Sequence, residues 1–312
     1  MTTEKLFFLV LTATICAFGL TGYSVIVYLF TKERKTTFAN PFFTLATSLA
    51  VPDCITLLSS IIYPFPVLIW GVDSVPNRLR LVVGFLADMS WFVLGSHMCL
   101  IALNRLIAVA FVTEYMTLFT NSRAMVAILL CWLYGLAMAS LMYGCSCQYA
   151  WKSYAWTFDC GGEDTCGSLS LTINMVVSYG KLVFIVIMYF FIFILVKRQW
   201  SKMTDMAMFN ALRKERRLAI QFAIICMVLA TYNFSFGIIL SLMGDGEISV
   251  AFGTAFLNTF CILNSSINPY MYILFGSDVR SSFWALFRDE TRVLEYEGHG
   301  SAITATNNQN GF

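Results

Sequence analysis

The sequence predicts an all-α, polytopic membrane protein: a bundle of seven transmembrane helices with a short amphipathic helix after the last span. Three observations predict it. The chain is 58% hydrophobic and 12% charged over 312 residues, too apolar for a soluble domain of this size. Seven stretches reach the roughly 20 mostly apolar residues that a span requires. The basic residues are also shared unequally between the two sides that alternating spans define.

The spans run approximately over Leu6–Phe30, Pro41–Trp70, Leu81–Phe111, Ala124–Gly144, Leu171–Val196, Leu218–Met243 and Val250–Phe275. The first follows a single Lys5 and is longer than the roughly 7–15 apolar residues of a signal-peptide core, so it reads as a signal-anchor span. The second and third are long enough to include loop residues or a tilt. Basic residues follow span one (Lys32, Arg34, Lys35), border the loop after span three (Arg105, Arg123) and cluster after span five (Lys197, Arg198, Lys202, Arg213, Lys214, Arg216, Arg217). Arg280, Arg288 and Arg292 follow span seven, while the opposite side has only Lys5, Arg78, Arg80 and Lys152. The richer side is cytoplasmic by the positive-inside rule. The N-terminus is then extracellular, the C-terminus cytoplasmic, and the chain integral to the plasma membrane. After span seven, Val279, Phe283, Trp284 and Phe287 form a stripe at helical spacing, so Ser277–Phe287 reads as a helix lying on the membrane. The membrane domain spans 1–287, and the Asn-, Thr- and Gly-rich remainder, 288–312, is expected to be a disordered cytoplasmic tail.

Polar groups inside spans carry the functional expectations, because they are costly in hydrocarbon and face other helices or a wet cavity. Asp53 lies in span two; Asn264, Ser265, Asn268, Pro269 and Tyr272 lie in span seven, where the proline removes a backbone donor and bends the helix. Asp88 sits in the outer part of span three, about five turns above Arg105. Trp91 is one turn below Asp88, and His97, deeper still, reads as an interhelical hydrogen bonder. Lys181 is alone in an apolar span and requires a partner. Asp88 is the acid at the most comparable depth, with backbone carbonyls as the other option. For Asp88, ligand contact and structural pairing are both open.

Four of the ten cysteines, Cys145, Cys147, Cys160 and Cys166, fall in the loop between spans four and five. An oxidising exterior makes disulfides the default, and four cysteines allow three connectivities. The aromatic residues of the loop, Tyr149, Trp151, Tyr154, Trp156 and Phe158, form either a lid or an interfacial belt. No catalytic constellation, zinc-ligand spacing or phosphate loop is present, so no enzyme and no cofactor is expected. A net charge of +2 gives no support to nucleic-acid binding. The basic stretch with Arg213, Arg216 and Arg217 on one helical face suits anionic membrane lipid.

Asn264-Ser265-Ser266-Ile267-Asn268-Pro269-Tyr270-Met271-Tyr272 resembles the Asn-Ser-x-x-Asn-Pro-x-x-Tyr signature in the last span of rhodopsin-like G-protein-coupled receptors. Leu49-Ala50-Val51-Pro52-Asp53 is similar to that family's span-two motif, and Trp132 matches its span-four tryptophan. Gly144-Cys145, Trp156-Thr157-Phe158, Cys166 and Tyr179-Gly180-Lys181 narrow the resemblance to nematode serpentine chemoreceptors of class Srx. It covers roughly residues 10–285. Four departures stand out. Asn104-Arg105-Leu106 replaces Asp-Arg-Tyr, Tyr23 replaces an Asn, span six lacks Cys-Trp-x-Pro, and no cysteine stands at the top of span three. The last of these predicts a loop stapled to itself.

The resemblance implies a chemosensory receptor, at the plasma membrane or its sensory cilium, that signals to a heterotrimeric G protein by helix rearrangement. The ligand would be a small molecule or short peptide contacting Asp88, Trp91, Lys181 and Trp156. The switch would comprise Asp53, Asn104, Arg105, Asn264, Ser265, Asn268, Pro269 and Tyr272, with Arg213, Arg216 and Arg217 adding to the G-protein surface. Asn104 cannot make the charge pair that restrains the Arg in relatives, which predicts a weaker lock and some basal activity. Sodium at Asp53 is left open, because a hard cation wants several oxygens and Leu94 stands where the family usually has Ser. A peptide or neuromodulator receptor is the alternative. A transporter is less expected without repeats or broken helices, and an opsin is disfavoured because span seven has Ile262 at the Schiff-base position.

Overall fold

Apolar runs become helices in this chain because hydrocarbon leaves backbone groups no outside partner. In the computed structural model, residues 3–33, 37–152, 155–160, 165–200, 247–286 and 288 are described. Six further helical positions, Ile220, Ala223, Ile224, Met227, Val228 and Thr231, are described between them. The helices are α1 (Thr3–Lys32), α2 (Pro41–Ile62), α3 (Pro64–Trp70), α4 (Asn77–Ala110), α5 (Tyr115–Leu118), α6 (Asn121–Gly144), α7 (Thr165–Trp200) and α8 (Glu247–Phe275). A final helix, α9, covers residues 277–286. Among the described residues, α1, α2 with α3, α4, α6 and α7 are long and apolar enough to cross a membrane. α8 and the six helical positions between 220 and 231 fall in the two remaining of the seven spans.

α4 is the bundle's centre. Of its most apolar window 61% is buried, against 17% for α7, which turns most of its surface outward. α4 packs on α2, α6, α7 and the hairpin, while α1 packs along α8. The outward faces of α6 and α7 carry exposed Leu130, Leu133, Val176, Phe190 and Phe193, as lipid-facing helices do. Hydroxyls on α1 close onto their own helix: Thr14, Thr21, Ser24 and Thr31 each donate to a carbonyl four residues back. That satisfies them without water.

α2 starts at a sharp local signal, Asn40 as N-cap followed by Pro41. The Asn40 side chain accepts from the Phe42 amide. Pro52 is accommodated within α2, and the span breaks between Tyr63 and Pro64 before continuing as α3. Pro269 likewise lies inside α8 without ending it. The α1–α8 seam is built from small residues. A Cβ on Gly22 would stand 2.8 Å from Pro269 Cγ and 2.9 Å from the Tyr270 ring. The close approach stacks Phe18 on Tyr270 at 3.9 Å, and the Tyr270 hydroxyl donates to the Phe18 carbonyl at 2.8 Å.

The cysteine-rich loop is an antiparallel hairpin, β1 (Cys147–Lys152) and β2 (Ala155–Cys160), with Cys147 opposite Cys160 and Trp151 opposite Trp156. Disulfides join Cys145 to Cys166 and Cys147 to Cys160. Of the three open connectivities this is the nested one, and the loop is stapled to itself as expected. Ser146, at φ 55, turns the chain from α6 into β1. The hairpin presses onto α4 so closely that a Cβ on Gly84 would be 2.1 Å from the Tyr149 carbonyl oxygen. Removing the inner disulfide as Cys147→Ser with Cys160→Ser is expected to cost about 2–4 kcal/mol, or roughly 5 °C in apparent Tm. Thermal unfolding of the purified chain reads this, and an unchanged Tm would show that the inner disulfide contributes nothing to stability.

The amphipathic helix after the last span is present as α9. Val279 is buried and Trp284 exposed. The Ser282 hydroxyl donates to Glu33 Oε2 at 2.8 Å, tying α9 to the end of α1. Arg213, Arg216, Arg217, Tyr154, Phe287 and nearly all of the tail 288–312 lie outside the described residues.

Candidate functional site

Two polar clusters lie on the α2–α4–α8 side of the bundle. The first surrounds Asp53, which is fully buried at mid-span on α2. Asn268 Nδ2 donates to Asp53 Oδ2 at 2.9 Å. The Tyr23 hydroxyl donates to the same oxygen and lies 3.1 Å from the Ser265 carbonyl. Three helices, α1, α2 and α8, therefore meet on one carboxylate. Asp53 Oδ1, Asn264 Oδ1 and Asn268 Oδ1 are buried with no hydrogen-bond partner among the described residues. Buried oxygens of this kind mark a place for water or a cation. Asp53, Asn264, Ser265 and Asn268 would be the residues to hold one. Tyr272 lies nearby, buried, with its ring edge-on to Phe30 at 5.9 Å.

The second cluster surrounds Arg105, near the far end of α4. The guanidinium is 1% exposed, so it does not snorkel. Its Nη2 donates to Asn104 Oδ1 at 2.7 Å, and its carbon lies 4.0 Å from the centre of the Phe42 ring. Asn104 Nδ2 donates to the Tyr115 hydroxyl at 3.0 Å, which donates to Asn40 Oδ1 at 3.0 Å. Neutral groups thus link Arg105, through the short α5, to the N-cap of α2. Arg123 holds α5 in place by donating to the Leu118 carbonyl at 2.6 Å. A cation over an aromatic face contributes about 2 kcal/mol when desolvated.

At the hairpin end, Trp156 is buried and stacks on Tyr149 at 5.7 Å, with Tyr63 and Trp151 beside it. Tyr149, Trp151 and Trp156 therefore pack inward with Tyr63 and Val83. Asp88 is fully buried one turn below Gly84, and neither of its oxygens has a hydrogen-bond partner among the described residues.

The expected Asp88–Lys181 pair does not form. Lys181 Nζ donates to the Phe92 carbonyl at 3.4 Å and lies 4.4 Å from the centre of the Tyr134 ring. Depth is the reason. A Cβ on Gly95 would touch the Lys181 stem at 3.3 Å, and Gly95 lies seven residues below Asp88, about 10 Å along the helix. The option of backbone carbonyls is the one realised. Trp91 and Lys181 do come together, lining a cleft with Leu94, Gly95 and Ser178 that has room for about 30 Å³, one water. The four expected ligand residues are therefore split between the hairpin end (Trp156, Asp88) and the α4–α7 contact (Trp91, Lys181).

His97 is a satisfied bonder as expected, 2.9 Å from Ser48 Oγ and 3.0 Å from the Val93 carbonyl. The indole of Trp132 donates to the same Ser48 hydroxyl at 3.4 Å. Sequence reasoning missed four participants. Tyr23 was noted only as a departure, yet its longer side chain reaches the carboxylate itself. Asn40 carried a signal in the Asn-Pro pair that starts α2, whereas Phe42 and Tyr115 carried none.

The family model described as Serpentine type 7TM GPCR chemoreceptor Srx matches residues 14–268. The crystal structure of squid rhodopsin superposes with a TM-score of 0.73 at 19% identity, covering 91% of this chain and 85% of that one. At that identity the likeness speaks for the fold alone. No curated protein matches. The family match spans most of the chain, and its residues include the Asp53 and Arg105 clusters and the stapled hairpin. The chain belongs to the Srx family of serpentine chemoreceptors, which are seven-transmembrane G-protein-coupled receptors.

Proposed function

We propose that this receptor binds an extracellular small molecule or short peptide at the hairpin side and activates a heterotrimeric G protein at the Arg105 side. The hairpin end then faces outward at the plasma membrane. The disulfides suit an oxidising exterior, and the basic residues cluster towards the other end. Ligand acts by binding the state in which the helix ends around Arg105 separate, a population shift driven by differential affinity. Asp53, with Tyr23, Asn264, Ser265 and Asn268, couples α1, α2 and α8 between the two ends. Arg213, Arg216 and Arg217 extend the G-protein surface.

One observation carries this reading. Arg105 is buried at the end of the central helix and held through Asn104, a neutral residue, against the face of Phe42. A latch of that kind is strong enough to hold a resting state and weak enough to open. The test is G-protein activation in cells displaying the chain, screened against small volatiles, metabolites and short peptides. The expected result is a ligand-dependent signal. Substrate flux through vesicles containing the chain, without any G-protein signal, would contradict the reading in favour of a transporter.

A further inference from the structure

Lys181 sits halfway along α7, at position 17 of the 36-residue helix Thr165–Trp200. An ammonium offers three donors. Among the described residues it has one hydrogen bond, to the Phe92 carbonyl, and no carboxylate within reach. Beside it the Tyr134 hydroxyl is buried and has no hydrogen-bond partner among the described residues. Both side chains line a cleft of about 420 Å³ between α4, α6 and α7, with Ser96, Cys99, Val177, Gly180 and Phe184. A volume of this size falls in the range of small-ligand sites.

The two glycines shape this site. Gly95 lets the lysine stem lie flat across α4. Gly180 has nothing within 4 Å of the place a Cβ would occupy, so the wall of the cleft is open to the side of the bundle. Apart from Ser96, whose hydroxyl donates to the Phe92 carbonyl at 2.9 Å, the remaining lining is apolar, and Phe184 with the neighbouring Val183 faces outward.

From this geometry we infer that Lys181 and Tyr134 hold the carboxylate of an amphipathic aliphatic acid, which enters from the lipid side and lays its chain along Val177 and Phe184. One negative charge matches one ammonium, the tyrosine hydroxyl donates to the second carboxylate oxygen, and the apolar wall takes the chain. A phospholipid headgroup does not reach this depth, since the site lies near mid-span and headgroups lie at the interface.

The inference names a ligand class for one residue of the receptor reading and rests on that reading for its role in signalling. Binding is measured without a G protein, so the two fail separately. The test uses the full chain in phosphatidylcholine nanodiscs and radiolabelled dodecanoic acid. Saturable binding is expected, competed by the unlabelled acid and not by methyl dodecanoate. Lys181→Met lowers affinity at least about tenfold, and Lys181→Arg retains it. Tyr134→Phe, which keeps the ring, and Gly180→Leu, which fills the cleft, each lower it several-fold. These two carry the test if Lys181→Met does not assemble. Absence of saturable binding, equal competition by the ester, or unchanged affinity in Tyr134→Phe and Gly180→Leu overturns the proposal. So does competition by phosphatidylglycerol added to the discs, which would assign the ammonium to a lipid headgroup.

Discussion

Arg105→Ala is expected to lower G-protein activation about tenfold to a hundredfold while leaving the chain at the cell surface. In the structure the guanidinium donates to Asn104 and lies over the Phe42 face. On the function proposed above, these contacts are lost when the helix ends part, and the charge becomes available to carbonyls of the G protein. A charge-assisted hydrogen bond is worth about 1.5–3 kcal/mol, so its loss lowers the exchange rate about tenfold to a hundredfold. Surface labelling alongside nucleotide exchange checks this. Exchange equal to wild type at equal expression would detach Arg105 from coupling. The partners of the latch should move the other way. Tyr115→Phe removes the donor to Asn40 and leaves Asn104 Nδ2 without its acceptor, so basal exchange should rise.

Asp53→Ala is expected to have the largest effect on the resting bundle. It leaves Asn268 Nδ2 buried without its acceptor and the Tyr23 hydroxyl with the Ser265 carbonyl alone. An orphaned buried donor costs about 1–3 kcal/mol, which corresponds to a loss of roughly 2–5 °C in apparent Tm. Asp53→Asn keeps one acceptor oxygen and should lose less, and Tyr23→Phe, which leaves the carboxylate to Asn268, less again. Thermal unfolding of the three variants gives the order. Equal stability of Asp53→Ala and wild type would mean that the carboxylate does not hold α1, α2 and α8 together.

The spans were legible because hydrocarbon imposes a length and a composition that any sequence window exposes. The Asp53–Asn268 contact was legible because both residues belong to motifs that resemble a family, so their partnership came with the motif. The self-stapled loop followed from the cysteine that the top of span three lacks, whereas its β-hairpin form did not. What failed depended on depth or azimuth. Lys181 and Asp88 looked level when counted from approximate span ends, yet each residue of error moves a side chain by about 1.5 Å. Lys181 packs at the level of Phe92 and Gly95, too deep for the carboxylate. The Arg105 latch was half legible. Asn104 marked a missing charge pair, but the route onward to Tyr115 and Asn40 runs through a four-residue helix whose position no local pattern specifies. Tyr23 stood out only as a mismatch. Its role depends on how closely α1 approaches α8, which Gly22 permits.

The measurement that bears most directly on the whole account is nucleotide exchange without added ligand, on purified chain in nanodiscs, for wild type and Asn104→Asp. A latch in which Arg105 bonds the neutral Asn104 where a carboxylate could stand predicts exchange above empty discs for at least one class of G protein α subunit. Asn104→Asp adds the missing charge beside Arg105 and should lower that basal rate about tenfold, as one charged hydrogen bond would. A wild-type rate equal to empty discs for every α-subunit class, or a basal rate that Asn104→Asp leaves unchanged, would contradict the account.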